Sequence, residues 1–130
     1  MINLFNFSKN NKIVICYNEL SCVDCFKNLV LEIYSKFGGF EIYFLIRTNN
    51  NSSENKRISI QSLKRKLNLK WNKIKIFFDR HFDEDPWPPI NLKEGIFGKY
   101  NISKTPAYFI ISPDTIIFKN YDEIVKELYR

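Results

Sequence analysis

Ser21-Cys22-Val23-Asp24-Cys25 sets two thiols two residues apart, between two stretches of opposite periodicity. Ahead of it, Lys12-Ile13-Val14-Ile15-Cys16-Tyr17 is a continuous β-branched run, the pattern of a strand buried on both faces of a parallel sheet. Behind it, Phe26, Leu29, Val30, Ile33 and Phe37 recur at helical spacing. The sequence therefore predicts a helix over 22–37, with Ser21 as its N-cap and Gly38-Gly39 as its left-handed stop. Two thiols at a helix N-terminus can close a small disulfide, and the helix dipole with its free N–H groups favours a thiolate on the first sulfur.

Working outward, residues 41–48 form a second apolar run, and with the helix before them complete a βαβ unit. Residues 49–55 read as a polar loop. A basic helix is expected over 58–69, with Ile60, Leu63 and Leu67 on one face and Lys64, Arg65 and Lys66 on the other, a solvated side. Residues 73–79 supply a third strand. Residues 80–92 hold His81, the acidic trio Asp83-Glu84-Asp85 and Pro86-Trp87-Pro88-Pro89, whose prolines exclude regular helix and leave an exposed, stiff loop. A short helix over 93–100 leads to Thr105-Pro106. Residues 107–112 and 115–119 are two strands around a Pro113-Asp114 turn, an antiparallel hairpin. Residues 121–129 form the last helix, acidic at its start and basic near its end. Residues 1–11 read as a short edge strand or an extension.

At 130 residues and 45% hydrophobic, with 12 Phe and 7 Tyr, the chain can bury the core of one domain without staples. Its net charge of +6 admits acidic partners or a membrane surface. Because lysines fall in every expected element, the reading is a solvated surface with no nucleic acid partner. Cys16, Cys22 and Cys25 are too few, and odd in number, for a secreted disulfide framework. They suit a reactive pair with Cys16 as a buried bystander. A zinc set of Cys16, Cys22, Cys25 and His81 is the competing use, weakened by the place of Cys16 inside a core strand. There is no signal-peptide pattern and no apolar run of membrane-spanning length in the chain as given. The acidic trio reads as solvated, and Trp87 as a docking residue or a cap on the core.

The order of elements, with Cys22-Val23-Asp24-Cys25 early and Lys104-Thr105-Pro106-Ala107-Tyr108-Phe109-Ile110-Ile111-Ser112-Pro113-Asp114 late, resembles the thioredoxin superfamily. It is most similar to the TlpA-like thiol-disulfide oxidoreductases of the bacterial envelope, which carry an extra helix and strand where residues 58–79 lie. The resemblance spans residues 12–130. It implies an α/β thioredoxin-like fold: a central mixed sheet of parallel strands plus a C-terminal antiparallel hairpin, helices on both faces, and the helix-strand insertion. Cys22 would be the nucleophile. Cys25, deeper and more buried, would resolve the mixed disulfide. Pro106 would be the family's cis proline, letting the Thr105 backbone pair with an extended substrate. The implied partners are a disulfide-bearing protein substrate and a reducing thiol protein, with no metal and no cofactor. Family habit points to the periplasm, and the chain without a leader to the cytoplasm.

Three positions depart from the family's pattern and would modulate the site. Ser21 stands where a Trp is usual, Val23-Asp24 replaces the common dipeptides, and Cys16 takes the place of a buried acid. A carboxylate on Asp24 opposes a thiolate on Cys22, which predicts a reductase-like potential. A non-catalytic peptide-binding module, built on the Trp87 loop and the groove beside Pro106, is the alternative function.

Overall fold

β1 (Lys12–Asn18) takes the middle of the sheet because Ile13, Val14, Ile15 and Cys16 are all apolar and fully buried. Strand alternation sends Ile13 and Ile15 to one face and Val14 and Cys16 to the other, each into its own apolar cluster. The computed structural model describes residues 10–19, 21–48, 52–79 and 95–129. The edge strand expected over 1–11 lies outside these except for Asn10 and Asn11. The loop carrying His81, the acidic trio and Trp87 lies outside them as well.

β1 pairs in parallel with β2 (Glu41–Arg47) and antiparallel with β4 (Ala107–Ile111). β3 (Ile74–Phe78) adds in parallel beyond β2, and β5 (Ile116–Lys119) adds antiparallel beyond β4. The order is β3-β2-β1-β4-β5, the mixed sheet with a terminal hairpin that the resemblance implied. The hairpin turn is closed by Ser112 N–H donating to the Thr115 carbonyl at 2.9 Å.

Helices α1 (Lys27–Lys36), α2 (Ser53–Lys66) and α4 (Tyr121–Leu128) lay Leu29, Val30, Ile33, Leu63 and Ile124 on the face that holds Ile13 and Ile15. The short α3 (Gly95–Lys99) presses Phe97 onto the other face, beside Val14 and Cys16. The two parallel units place both crossover helices on the same side, which brings α2 alongside the turn that precedes α1. Among the described residues no helix is long and apolar enough to cross a membrane.

Three boundaries differ from the sequence reading. α1 begins at Lys27, with Phe26 at the cap position and no side-chain cap, so Ser21 does not cap it. α2 begins at Ser53 because the Ser52 hydroxyl accepts from the Asn55 N–H at 3.2 Å; residues 52–55, expected as loop, are its cap and first turn. It ends at Lys66, after which Leu67 is extended and Trp71–Lys73 form a single 3-10 turn. α4 carries a capping box that the sequence reading passed over, with Asn120 and Glu123 satisfying each other's backbone N–H.

Candidate functional site

The cysteine pair sits on two overlapping turns. Cys25 N–H donates to the Cys22 carbonyl at 3.1 Å and Phe26 N–H to the Val23 carbonyl at 3.4 Å. Val23 and Phe26 bury their side chains in the core, and this pins the turns so that Cys22, Asp24 and Cys25 all face outward. Cys22 and Cys25 are joined as a disulfide with Cα atoms 5.3 Å apart. Two expectations change with this geometry. Cys25 is exposed like Cys22, not buried one turn into a helix. The helix dipole also acts on Cys22 from further off, since α1 starts only at Lys27.

Ser21 is half-buried. Its carbonyl accepts the Tyr17 hydroxyl at 3.2 Å and its N–H reaches the Asn18 carbonyl at 2.8 Å, which folds the chain tightly between β1 and the cysteines. The Tyr17 ring also packs on Phe26, 5.9 Å between centroids. Burial raises the Tyr17 phenol above its ordinary pKa, and the charges of Glu19 and Asp24 push the same way.

Thr105 and Pro106 arrive at the same sheet edge. β4 runs antiparallel to β1 with Ala107 opposite Cys16, and the Thr105 hydroxyl accepts the Asn18 N–H at 3.2 Å. The Thr105–Pro106 peptide is cis and both residues are buried. Next to them a hollow of about 150 Å³ opens between Ser103-Lys104 and Asn120–Asp122. Cys16, by contrast, is 0% exposed on the far side of β1. Burial first, and the charge of Asp79 second, push its thiol far above the ordinary range, so it stays protonated.

Four residues at this edge were not anticipated. Glu19, in the loop after β1, donates its N–H to the Arg47 carbonyl at 3.0 Å and accepts the Ser59 hydroxyl of α2 at 2.8 Å. Lys66, at the other end of α2, donates to Asp24 at 2.7 Å, so it is not part of a purely solvated face. Asp24 thus has a cation beside it, which partly offsets its opposition to a Cys22 thiolate. Asp79, at the end of β3, is 4% exposed, and its two carboxyl oxygens accept the N–H groups of Ile96 and Phe97 at 3.0 and 2.8 Å. These pairings span 17 to 42 residues, and no local spacing signals them. For metal, the described residues hold no cluster of three or more His, Cys, Asp or Glu side chains. Cys16 is enclosed while Cys22 and Cys25 are bonded to each other, and His81 lies outside the described residues.

No protein-family model matches the sequence, and no curated protein matches it. Solved structures do. MTB dsbF, in mixed oxidized and reduced forms, aligns over 91% of this chain and 78% of its own, at TM-score 0.51 and 9% identity. The thioredoxin domain of a thiol-disulfide oxidoreductase from Bacteroides vulgatus aligns over 98% of this chain and 82% of its own, at TM-score 0.50 and 19% identity. At such identities the likeness is one of backbone architecture, and it agrees with the strand order and the helix placement above. The chain has the thioredoxin fold.

Proposed function

We propose that the protein is a thiol-disulfide oxidoreductase that reduces protein disulfides through Cys22 and Cys25. The observation that carries this reading is the exposed Cys22–Cys25 disulfide, set on a turn at the sheet edge that also holds Thr105 and Pro106. In the reduced protein, the Cys22 thiolate attacks one sulfur of a substrate disulfide. A Cys22–substrate bond forms, the substrate bond breaks, and the departing sulfur takes up a proton. The Cys25 thiolate then attacks the Cys22 sulfur, which restores the Cys22–Cys25 disulfide and releases the second substrate thiol. Two electrons pass from the dithiol to the substrate, and a partner dithiol protein returns them. Thr105 and Pro106, on the same sheet edge as the disulfide, hold the substrate backbone. Because both sulfurs are exposed, burial does not rank them; the order of attack follows the family's habit, as does placement with the TlpA-like reductases of the bacterial envelope.

Insulin reduction by the wild type and by Cys22→Ser tests the reading. Turnover in the wild type and background in the variant support it; background in both rejects it. The Cys25→Ser variant assigns the roles, since it accumulates a mixed disulfide on Cys22 only if Cys22 is the attacking thiol. The hollow lined by Ser103, Lys104 and Asn120–Asp122 also suits a peptide-binding module without turnover. That reading requires equal peptide binding by the wild type and Cys22→Ser, with background reduction by both.

A further inference from the structure

The net charge of the protein is concentrated in one unit. Residues 53–75 carry Lys56, Arg57, Lys64, Arg65, Lys66, Lys70, Lys73 and Lys75 against the single carboxylate of Glu54. This net +7 exceeds the +6 of the whole chain, so the remainder is slightly acidic. Lysines do occur along the whole chain, but outside residues 53–75 carboxylates balance them.

The basic unit is also the one that touches the cysteine turn. Ser59 and Lys66 of α2 engage Glu19 and Asp24, the two carboxylates of the segment between β1 and α1. The local negative charge is thereby partly answered from within, while the outward side of α2 keeps its cations. Arg57, Lys64 and Arg65 are exposed there, with Gln61 bridging the helical turns through its 3.4 Å bond from Arg57. Lys64 and Arg65 form no ion pair with any described residue. Ile58, 49% exposed, lies two turns before Arg65 on the same line of the helix. A cationic surface with an apolar spot thus lies on the outward side of the helix whose inner side, through Ser59 and Lys66, is held against the cysteine turn.

We propose that this face of α2 selects the substrate: a protein whose reducible disulfide is flanked by acidic residues, with an apolar side chain to meet Ile58. The inference rests on the oxidoreductase reading for its substrate and on charge complementarity for its partner. Opposite charge across an encounter surface acts on association rate and partner choice, and salt screens it.

The test uses three fluorogenic disulfide peptides of equal length, with acidic, neutral and basic flanks, and a cysteine-free acidic peptide for binding by fluorescence anisotropy. The wild type should reduce the acidic peptide about tenfold more efficiently in kcat/KM than the neutral one at about 0.02 M salt, and lose most of that preference at about 0.3 M. The charge reversal K64E/R65E, at exposed positions away from the sulfurs, should shift preference to the basic peptide while leaving the neutral peptide's kcat unchanged. Equal kcat/KM for all three peptides, or an acidic preference that survives K64E/R65E, overturns the proposal. Tighter binding of a short oligonucleotide or of anionic vesicles than of the acidic peptide also overturns it, in favour of a general polyanion surface. If no peptide is reduced, the oxidoreductase reading fails. The anisotropy of the cysteine-free peptide then decides the binding face separately: loss of binding in K64E/R65E upholds it, and absence of binding by the wild type refutes it.

Discussion

Asp24 and Asp79 are both aspartates near the sheet edge that carries the cysteines, and the protein treats them in opposite ways. Asp24 stands in water on the cysteine turn, with one flexible lysine for a partner. Asp79 is enclosed at the end of β3, and both its oxygens are taken by backbone N–H groups at the start of α3. An exposed ion pair contributes at most about 1 kcal/mol, because water and salt already answer both charges. A buried polar group whose partner is removed costs about 1–3 kcal/mol, because nothing replaces the lost bond. Asp79 therefore belongs to the architecture, whereas Asp24 carries little of the fold's stability.

The sharpest way to break this contrast is Asp79→Ala. It strands two N–H groups in the interior and should destabilise the fold by about 3 kcal/mol in urea unfolding. A loss below 1 kcal/mol would show that α3 does not depend on the clamp. Gly95→Ala probes the same clamp from its other side. Gly95 has φ +70°, and a Cβ there would stand 2.5 Å from an Asp79 carboxyl oxygen, so the carboxyl must leave its two donors. We expect a loss of about 2 kcal/mol, smaller than for Asp79→Ala because the side chain can settle elsewhere.

Cys16 extends the comparison into pH. Its thiol pKa is raised by burial and, to a lesser degree, by Asp79, so the folded protein holds that proton when the unfolded chain has released it. The sign follows: the contribution is complete below the ordinary thiol pKa of about 8.5 and falls away as pH rises above it. The wild type should lose stability from about pH 8.5 upward more steeply than Cys16→Val, with the two curves parallel at neutral pH. Parallel curves throughout would remove Cys16 from the balance. The smallest effect belongs to Asp24. Lys66→Met should slow alkylation of Cys22 in the reduced protein by less than about threefold at pH 7, and Asp24→Asn should speed it by a similar factor. Thermal stability should hardly move in either. A larger loss of stability in Lys66→Met would mean that the pair is structural after all.

The sheet was legible in advance because its signals are local. The runs at 13–17, 42–46 and 107–111 are apolar without interruption, and Pro113-Asp114 marks the hairpin between β4 and β5. The cysteine turn was misread as helix for a physical reason. Val23 and Phe26 lie three apart, a spacing that a helical turn and two i→i+3 turns share, and only the i→i+3 hydrogen bonds show which one the chain adopts. The caps at Ser52 and Asn120 are local signals too, a serine and an asparagine each placed just before a helix. The Glu19–Ser59, Asp24–Lys66 and Asp79–Phe97 contacts had no such signal, since tertiary packing alone brings those residues together.

The Asn18–Thr105 hydrogen bond joins residues 87 apart in sequence, and β4 slots between β1 and β5 only after most of the chain exists. During synthesis the two thiols leave the ribosome long before the strand that completes their surroundings. For that interval they stand on an unfinished sheet. The Thr105 side of the cysteine edge is thus completed late, when β4 and β5 dock, and a truncation within residues 107–119 should leave β1 without its antiparallel neighbour and the edge open.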